Sequence, residues 1–287
     1  MRLPIVSAFL LTLLASPPTS AGPSANDIVL SSGVQGGLIV HLGCGDGQLT
    51  GSLRIGDAFL VHGLDVDPTT VDQARTHIGS LTREGQVSAD VFDGRHLPYA
   101  DNLVNLILVS DAHDVSRDEL LRVLAPGGVA ISIPPSSFLA DPLKKPRPQE
   151  IDEWTRYLHG PDNNAVAEDT VVGPPRYHQW ISGPHISRSH DHLASVSAVM
   201  SAAGRLFSIV DQGSIAFAGA SPRWRLVARG EFNGIRLWER EISSWEYHLR
   251  DFRSGPPEIA RRLKAMLNDW RAQVEAKIPE PNPDYKP

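Results

Sequence analysis

Apolar residues fall into short unbroken runs early in the chain. Leu38 to Leu42 is apolar but for His41, entered from Gly36-Gly37 and left through a glycine-rich stretch. A run of that kind suits a strand covered on both faces, as in a parallel sheet. Phe59–Leu64, Gln86–Val91, Leu103–Ser110 and Val129–Ile133 repeat the texture, so five strands are predicted. Between them the polar and apolar positions take a helical period. Helices are predicted over 26–34, ended by Gly36-Gly37, over 47–55, over Thr69–Ile78 behind Pro68, and over Ser116–Leu124. Ser116 followed by Glu119 predicts a capping box. Pro126-Gly127-Gly128 predicts a turn into the fifth strand. Strand alternating with helix gives an α/β, Rossmann-like, doubly wound parallel sheet over residues 22–133.

Past Ile133 the texture changes. Residues 134–150 are rich in proline and lysine and read as a linker. Tryptophan occurs only beyond it, at 154, 180, 224, 238, 245 and 270. Short alternating runs replace helices at Ser195–Ser201, Leu206–Asp211, Trp224–Arg229 and Ile235–Glu239, so 151–256 is expected to be all-β. Asn233-Gly234 sits between the last two, where both residues tolerate positive φ, and predicts a hairpin turn. From Pro257 to Ala276, Ile259, Leu263, Leu267, Trp270 and Val274 fall on one helical face. A proline-rich tail, expected to be extended, closes 257–287.

Composition narrows the classes. At 41% hydrophobic and 21% charged, the chain is ordinary for a globular protein. Its net charge of −6, without a long basic run, argues against general nucleic-acid binding. The single cysteine, Cys44, excludes an intrachain disulfide and a CxxC metal site. Arg2, the apolar run Ile5–Ala15 and the small residues ending at Ala21 have the anatomy of a secretory signal peptide over 1–21. Export to the periplasm or outside the cell is the expectation, with a cytoplasmic location if that signal is not functional. The run is too short to span a bilayer, which takes roughly 20 residues.

Candidate chemistry concentrates in His41-Leu42-Gly43-Cys44-Gly45-Asp46-Gly47, between a predicted strand and a predicted helix. Glycines there let the backbone turn sharply and leave room for a ligand against it. The helix start adds exposed N–H donors. Asp65 follows at the end of the second strand, where a carboxylate can accept both ribose hydroxyl protons. The spacing is G-x-G-x-G, not the G-x-G-x-x-G of dinucleotide sites, so a dinucleotide oxidoreductase ranks last among the functions considered.

Here the sequence resembles the class I S-adenosylmethionine-dependent methyltransferases, and within them the small-molecule "type 11" group. Asp93-Gly94-Arg95-His96-Leu97-Pro98-Tyr99, the run Asp101–Ile107 and Arg122-Val123-Leu124-Ala125-Pro126-Gly127-Gly128 extend the likeness in order over 38–133. The resemblance implies S-adenosylmethionine as cofactor. Gly43, Gly45 and Gly47 are then expected along the methionine end and ribose, Asp65 on the ribose hydroxyls, and Asp93 at the adenine amine with Gly94 beside it. Asp111 and His113, just past the fourth strand, are the candidate bases. The family usually carries an acid where His41 stands, and often an Asp where Asn105 stands. Residues 134–150 supply no sign of the sixth and seventh strands that complete the family's sheet.

The second region resembles a blade of the quinoprotein-like (PQQ-type) β-propellers through Leu226-Val227-Ala228-Arg229, Phe232-Asn233-Gly234 and Leu237-Trp238. Ile151–Gly160 and Val171–Arg176 resemble the start of exported proteins that join a methyltransferase-like domain to a propeller. About one blade fits, so a truncated propeller is expected, with a partner covering its sheet edge. Leu263–Pro287 is similar to the C-terminus of bacterial sulfatases, but the sulfatase catalytic motif is missing. His178, His185, His190 and His192 lack accompanying acid or cysteine ligands beyond Asp191, so no metal is expected. Two functions remain open: methyl transfer to an unknown small acceptor, and a non-catalytic cofactor-fold scaffold in an exported protein.

Overall fold

The computed structural model describes residues 23–242, apart from 82–84, 157, 161–163, 172, 174–177, 184–195 and 214–221, with scattered positions from 261 to 272. The expected signal segment, the apolar face at 259–274, the proline-rich tail and three of the four histidines (His185, His190, His192) lie outside the described residues.

Five strands form the parallel core: β1 (Gly37–Leu42), β2 (Phe59–Asp65), β3 (Val87–Val91), β4 (Val104–Val109) and β5 (Leu124–Ser132). A sixth, β6 (Leu143–Lys144), was not expected; it pairs antiparallel with β5 through Ala130 and Val129. The order is β3-β2-β1-β4-β5-β6, which reverses between β1 and β4. Every residue of β1 is buried. Ile39 faces one core cluster with Val61, Leu106, Val71 and Ala74, while Val40 and Leu42 face another with Leu64, Ile107, Leu120 and Val123. Two covered faces explain why the run is apolar at every position but His41.

Helices α1 (Ala25–Ser32), α2 (Gln48–Ser52), α3 (Pro68–Ser80) and α4 (Arg117–Val123) fill the connections. Gly33, in the left-handed region, caps α1 ahead of the predicted Gly36-Gly37. Asp67 caps α3 by accepting from the Thr69 N–H, with Pro68 at the first position. The capping box of α4 is half realised. Ser116 accepts from the Glu119 N–H, but the Glu119 carboxylate turns instead to the Leu97 N–H and to Arg122. Pro126-Gly127-Gly128 lies inside β5, at an irregularity in its pairing with β4, rather than in a turn before it.

The stretch read as a linker packs on this sheet. Leu139 is buried, and Lys145 Nζ donates to the carbonyls of Leu121 and Asn102 Oδ1. Beyond it, β7 (Val196–Ala202), β8 (Arg205–Asp211), β9 (Trp224–Gly230) and β10 (Arg236–Glu241) form an antiparallel sheet of order β10-β9-β8-β7. The tight turn with two positive φ values is Ala203-Gly204, at 50° and 76°. Asn233-Gly234 instead belongs to a longer loop, in which Gly234 takes φ 67°. This sheet meets the parallel one at the amino ends of β1 and β4. Gln179 donates to the Asp101 carbonyl, Arg205 to Gln35, and Asn233 to Leu103 and Asn105. A cleft of about 410 Å³ between the two sheets, lined by Gln35, Asn105, Lys144 and Arg205, lies at that same end. The carboxyl ends of the strands stay uncovered by the second sheet.

Candidate functional site

Strand register assembles the site. Leu42 pairs with Leu64 on one side and Val109 on the other, so residues 43, 65 and 110 emerge side by side. Asp65 pairs with Val91, which brings the Asp93 loop alongside. All of these lie at the carboxyl ends of the strands, across the reversal of strand order, where open α/β sheets bind ligands.

The three glycines of the loop adopt φ of 73°, 53° and 80° but do different things. A Cβ on Gly43 would stand 2.6 Å from the Asp111 nitrogen, and one on Gly47 2.8 Å from Ala74 Cα. Those two glycines let backbone pack on backbone. A Cβ on Gly45 meets nothing within 4 Å, so Gly45 borders open space that a ligand can enter. Asp65, 9% exposed, stands beside it. Its Oδ1 accepts from the N–H groups of Val66 and Asp67, and its Oδ2 from Gly45 at 3.3 Å. Each oxygen is fixed in direction yet keeps acceptor capacity for a diol. A built carboxylate next to an open glycine fits an adenosyl ribose.

Asp93 closes its own turn. Oδ1 accepts from the Arg95 and His96 N–H groups and Oδ2 lies 2.9 Å from His96 Nδ1. The backbone N–H groups of His96 and Arg95, then the His96 ring, hold this carboxyl well below the usual range. Gly94 takes φ 81°, and its carbonyl accepts from the Asp114 N–H, which ties the β3 and β4 loops together. Asp111 is exposed, its Oδ1 accepting from the His113 N–H. His113 packs edge-on to Phe92, and its buried Nε2 has no hydrogen-bond partner among the described residues. Of the two candidate bases, Asp111 is the one open to the crevice.

The sequence marked His41 only as a departure. The structure buries it under the crevice floor, with Nδ1 2.8 Å from Thr50 Oγ1 and Nε2 2.8 Å from the hydroxyl of Ser110, which is exposed at the end of β4. Burial lowers its pKa to about 4, outweighing the opposing pull of Asp65, so the ring is neutral at pH 7. Thr50 and Ser110 escaped the sequence reading because isolated hydroxyls carry no pattern; their meeting depends on register. Cys44 is buried beside Gly63, and burial followed by the Asp65 charge pushes its thiol up to about 11, which makes it a packing residue rather than a nucleophile. No group of three or more His, Cys, Asp and Glu side chains able to hold a metal occurs among the described residues. Nor, among them, is any helix long and apolar enough to cross a membrane.

Comparison with known proteins bears on this half of the chain. A family model described as a methyltransferase domain matches residues 39–128. Methyltransferase GfsG of Streptomyces halstedii is 34% identical over 97 residues, covering 31% of this chain. The chain spans about a third (34%) of that relative's length. Among solved structures, a SAM-dependent methyltransferase from Aquifex aeolicus is similar at 21% identity and a TM-score of 0.33, over 38% of this chain and 62% of that one. A geranyl diphosphate methyltransferase in complex with SAM gives 20% identity and a TM-score of 0.32, over 34% and 42%.

Proposed function

With residues 39–128 a methyltransferase domain and S-adenosylmethionine its cofactor, we propose that this chain transfers a methyl group to a small acceptor. The observation that carries the reading is the placement of the Asp65 carboxylate 3.3 Å from the Gly45 nitrogen, beside the open side of the glycine loop. The bound cofactor supplies an electrophilic methyl on its sulfonium. The chain's part is positioning: Asp65 orients the ribose, the loop backbone lies against the ligand, and the β4 end faces the acceptor. Where the acceptor must lose a proton, the exposed Asp111 carboxylate is placed to take it.

A second reading, a cofactor-fold scaffold without turnover, is favoured by one observation. The parallel sheet ends at the two-residue β6, which offers little wall for an acceptor pocket. In that reading the four-stranded sheet is a propeller-type blade of an exported protein.

Calorimetry of the full chain with S-adenosylhomocysteine tests the cofactor site. Binding is expected, and Asp65→Ala is expected to weaken it by about 1.5–3 kcal/mol, the loss of charge-assisted bonds to the ribose. No heat from the unmodified chain ends the reading. Transfer of label from methyl-labelled cofactor to a panel of small amines, alcohols and thiols then separates enzyme from scaffold.

A further inference from the structure

The cleft of about 410 Å³ between the two sheets lies at the opposite end of the strands from Gly45 and Asp65. Three elements wall it. The chain after α1 carries Gln35, strand β6 ends at Lys144, and β8 begins at Arg205. Asn105 of β4 lines it as well. The ionisable side chains of this lining, Lys144 and Arg205, are both cations, and no carboxylate lines the cleft among the described residues.

The fold neutralises neither cation. Lys144 makes no hydrogen bond or ion pair among the described residues, and Arg205 donates only to the neutral amide of Gln35, at 2.9 Å. Their neighbours differ. Lys145 Nζ, one residue on, is held by Asn102 and the Leu121 carbonyl. Arg147 pairs with Glu153 and Glu231, at 3.4 and 3.2 Å.

The uncharged groups of the cleft share this polarity. Gln35 Oε1 is taken by Arg205, and Asn105 Oδ1 by the Leu38 N–H and by Asn233. The guanidinium and the backbone N–H can only donate, so each amide must turn its oxygen to them and keep its NH2 group for another partner. Neither nitrogen has one among the described residues. Ser32 is spent, donating to the Val29 carbonyl and accepting from the Val34 N–H. The lining therefore offers two cations and two amide donors with no charged acceptor among them. Gly33 and Gly127 also border the cleft, and a Cβ on either meets nothing within 4 Å, so bare backbone there is open to a ligand.

We propose that this cleft binds a small dianion, a phosphate monoester or a dicarboxylate, held by Lys144 and Arg205 and hydrogen-bonded by Gln35 and Asn105. The walls come from both sheets, so the bound anion fastens β6 of one to β8 of the other. The site stands apart from the cofactor crevice and does not depend on the methyl-transfer reading.

Inorganic phosphate and succinate are the two probes, titrated by calorimetry into the full chain, with sodium chloride of equal ionic strength as the blank. At least one is expected to bind saturably at a single site and to raise the thermal midpoint of unfolding by mass action. Which of them binds separates the phosphate from the dicarboxylate. The Lys144 side chain holds nothing else in the fold, so Lys144→Gln is expected to stay folded and to bind that probe about tenfold more weakly. Lys144→Arg keeps the charge and is expected to retain binding. Saturable heat from neither probe overturns the proposal, and so does binding that Lys144→Gln leaves unchanged.

Discussion

Asn233 Nδ2 donates to Asn105 Oδ1 at 2.6 Å, a side-chain bond across 128 residues that ties the antiparallel sheet to the parallel one. Asn105 Oδ1 also accepts from the Leu38 N–H at the start of β1, and Asn233 reaches the Leu103 carbonyl as well. Asn105 therefore serves the junction of the two sheets rather than the crevice. Asn233→Ala leaves that carbonyl short of a donor and is expected to cost about 1–3 kcal/mol in urea unfolding. An unchanged midpoint would show that the junction contributes nothing.

Two glycines of one loop are expected to respond oppositely to the same change. Gly45→Ala places a methyl in open space at φ 53°, so the backbone cost is about 1–2 kcal/mol and the chain stays folded. The methyl occupies the ligand's ground, and S-adenosylhomocysteine affinity is expected to fall more than tenfold. Gly47→Ala drives a methyl into the backbone of Ala74 at φ 80° and is expected to destabilise by about 3 kcal/mol or more. Thermal unfolding and calorimetry on both variants check the contrast.

The buried His41 makes stability depend on pH. Its pKa is about 4 in the fold against 6.5 for a free histidine, so the unfolded chain takes up a proton that the fold disfavours. Its full contribution is present above pH 6.5 and is lost as pH falls from 6.5 toward 4. The loss approaches about 3 kcal/mol. Urea midpoints across that range are expected to fall more steeply for the native chain than for His41→Gln. Parallel slopes would contradict the burial argument.

Arg122 belongs to the segment that resembles the family's Arg-x-Leu-x-Pro-Gly-Gly signature, yet it contacts no crevice residue. Its guanidinium donates to the Leu97 and Tyr99 carbonyls, pairs with both Glu119 oxygens and reaches Asp101. Arg122→Lys keeps the charge and loses the fork, so it is expected to destabilise by about 2–4 kcal/mol with little change in ligand affinity per folded molecule. A large affinity loss in a fully folded variant would place Arg122 in the site instead.

Some expectations failed for a shared cause. Glu119 was read as the return arm of a capping box, but Arg122 and the Leu97 N–H compete for it and win. Asn233-Gly234 does join the antiparallel β9 and β10, as read, but only Gly234 takes a positive φ, and the Asn233 side chain is drawn to Asn105. Ala203 takes φ 50° in the actual tight turn, and an alanine announces no such turn. Strand β6 is two residues long and leaves no periodic mark.

The chain order of strand, glycine loop, helix and acid was set by local rules. An apolar run needs two covered faces, a sharp turn needs glycine, and proline and aspartate start helices wherever they stand. Those rules act within a few residues, so they can be read without coordinates. Folding in three dimensions decided which glycine faces open space, that His41 is neutral, and that the second sheet sits away from the crevice. Each of those outcomes depends on partners brought from distant parts of the chain, and register and packing choose them.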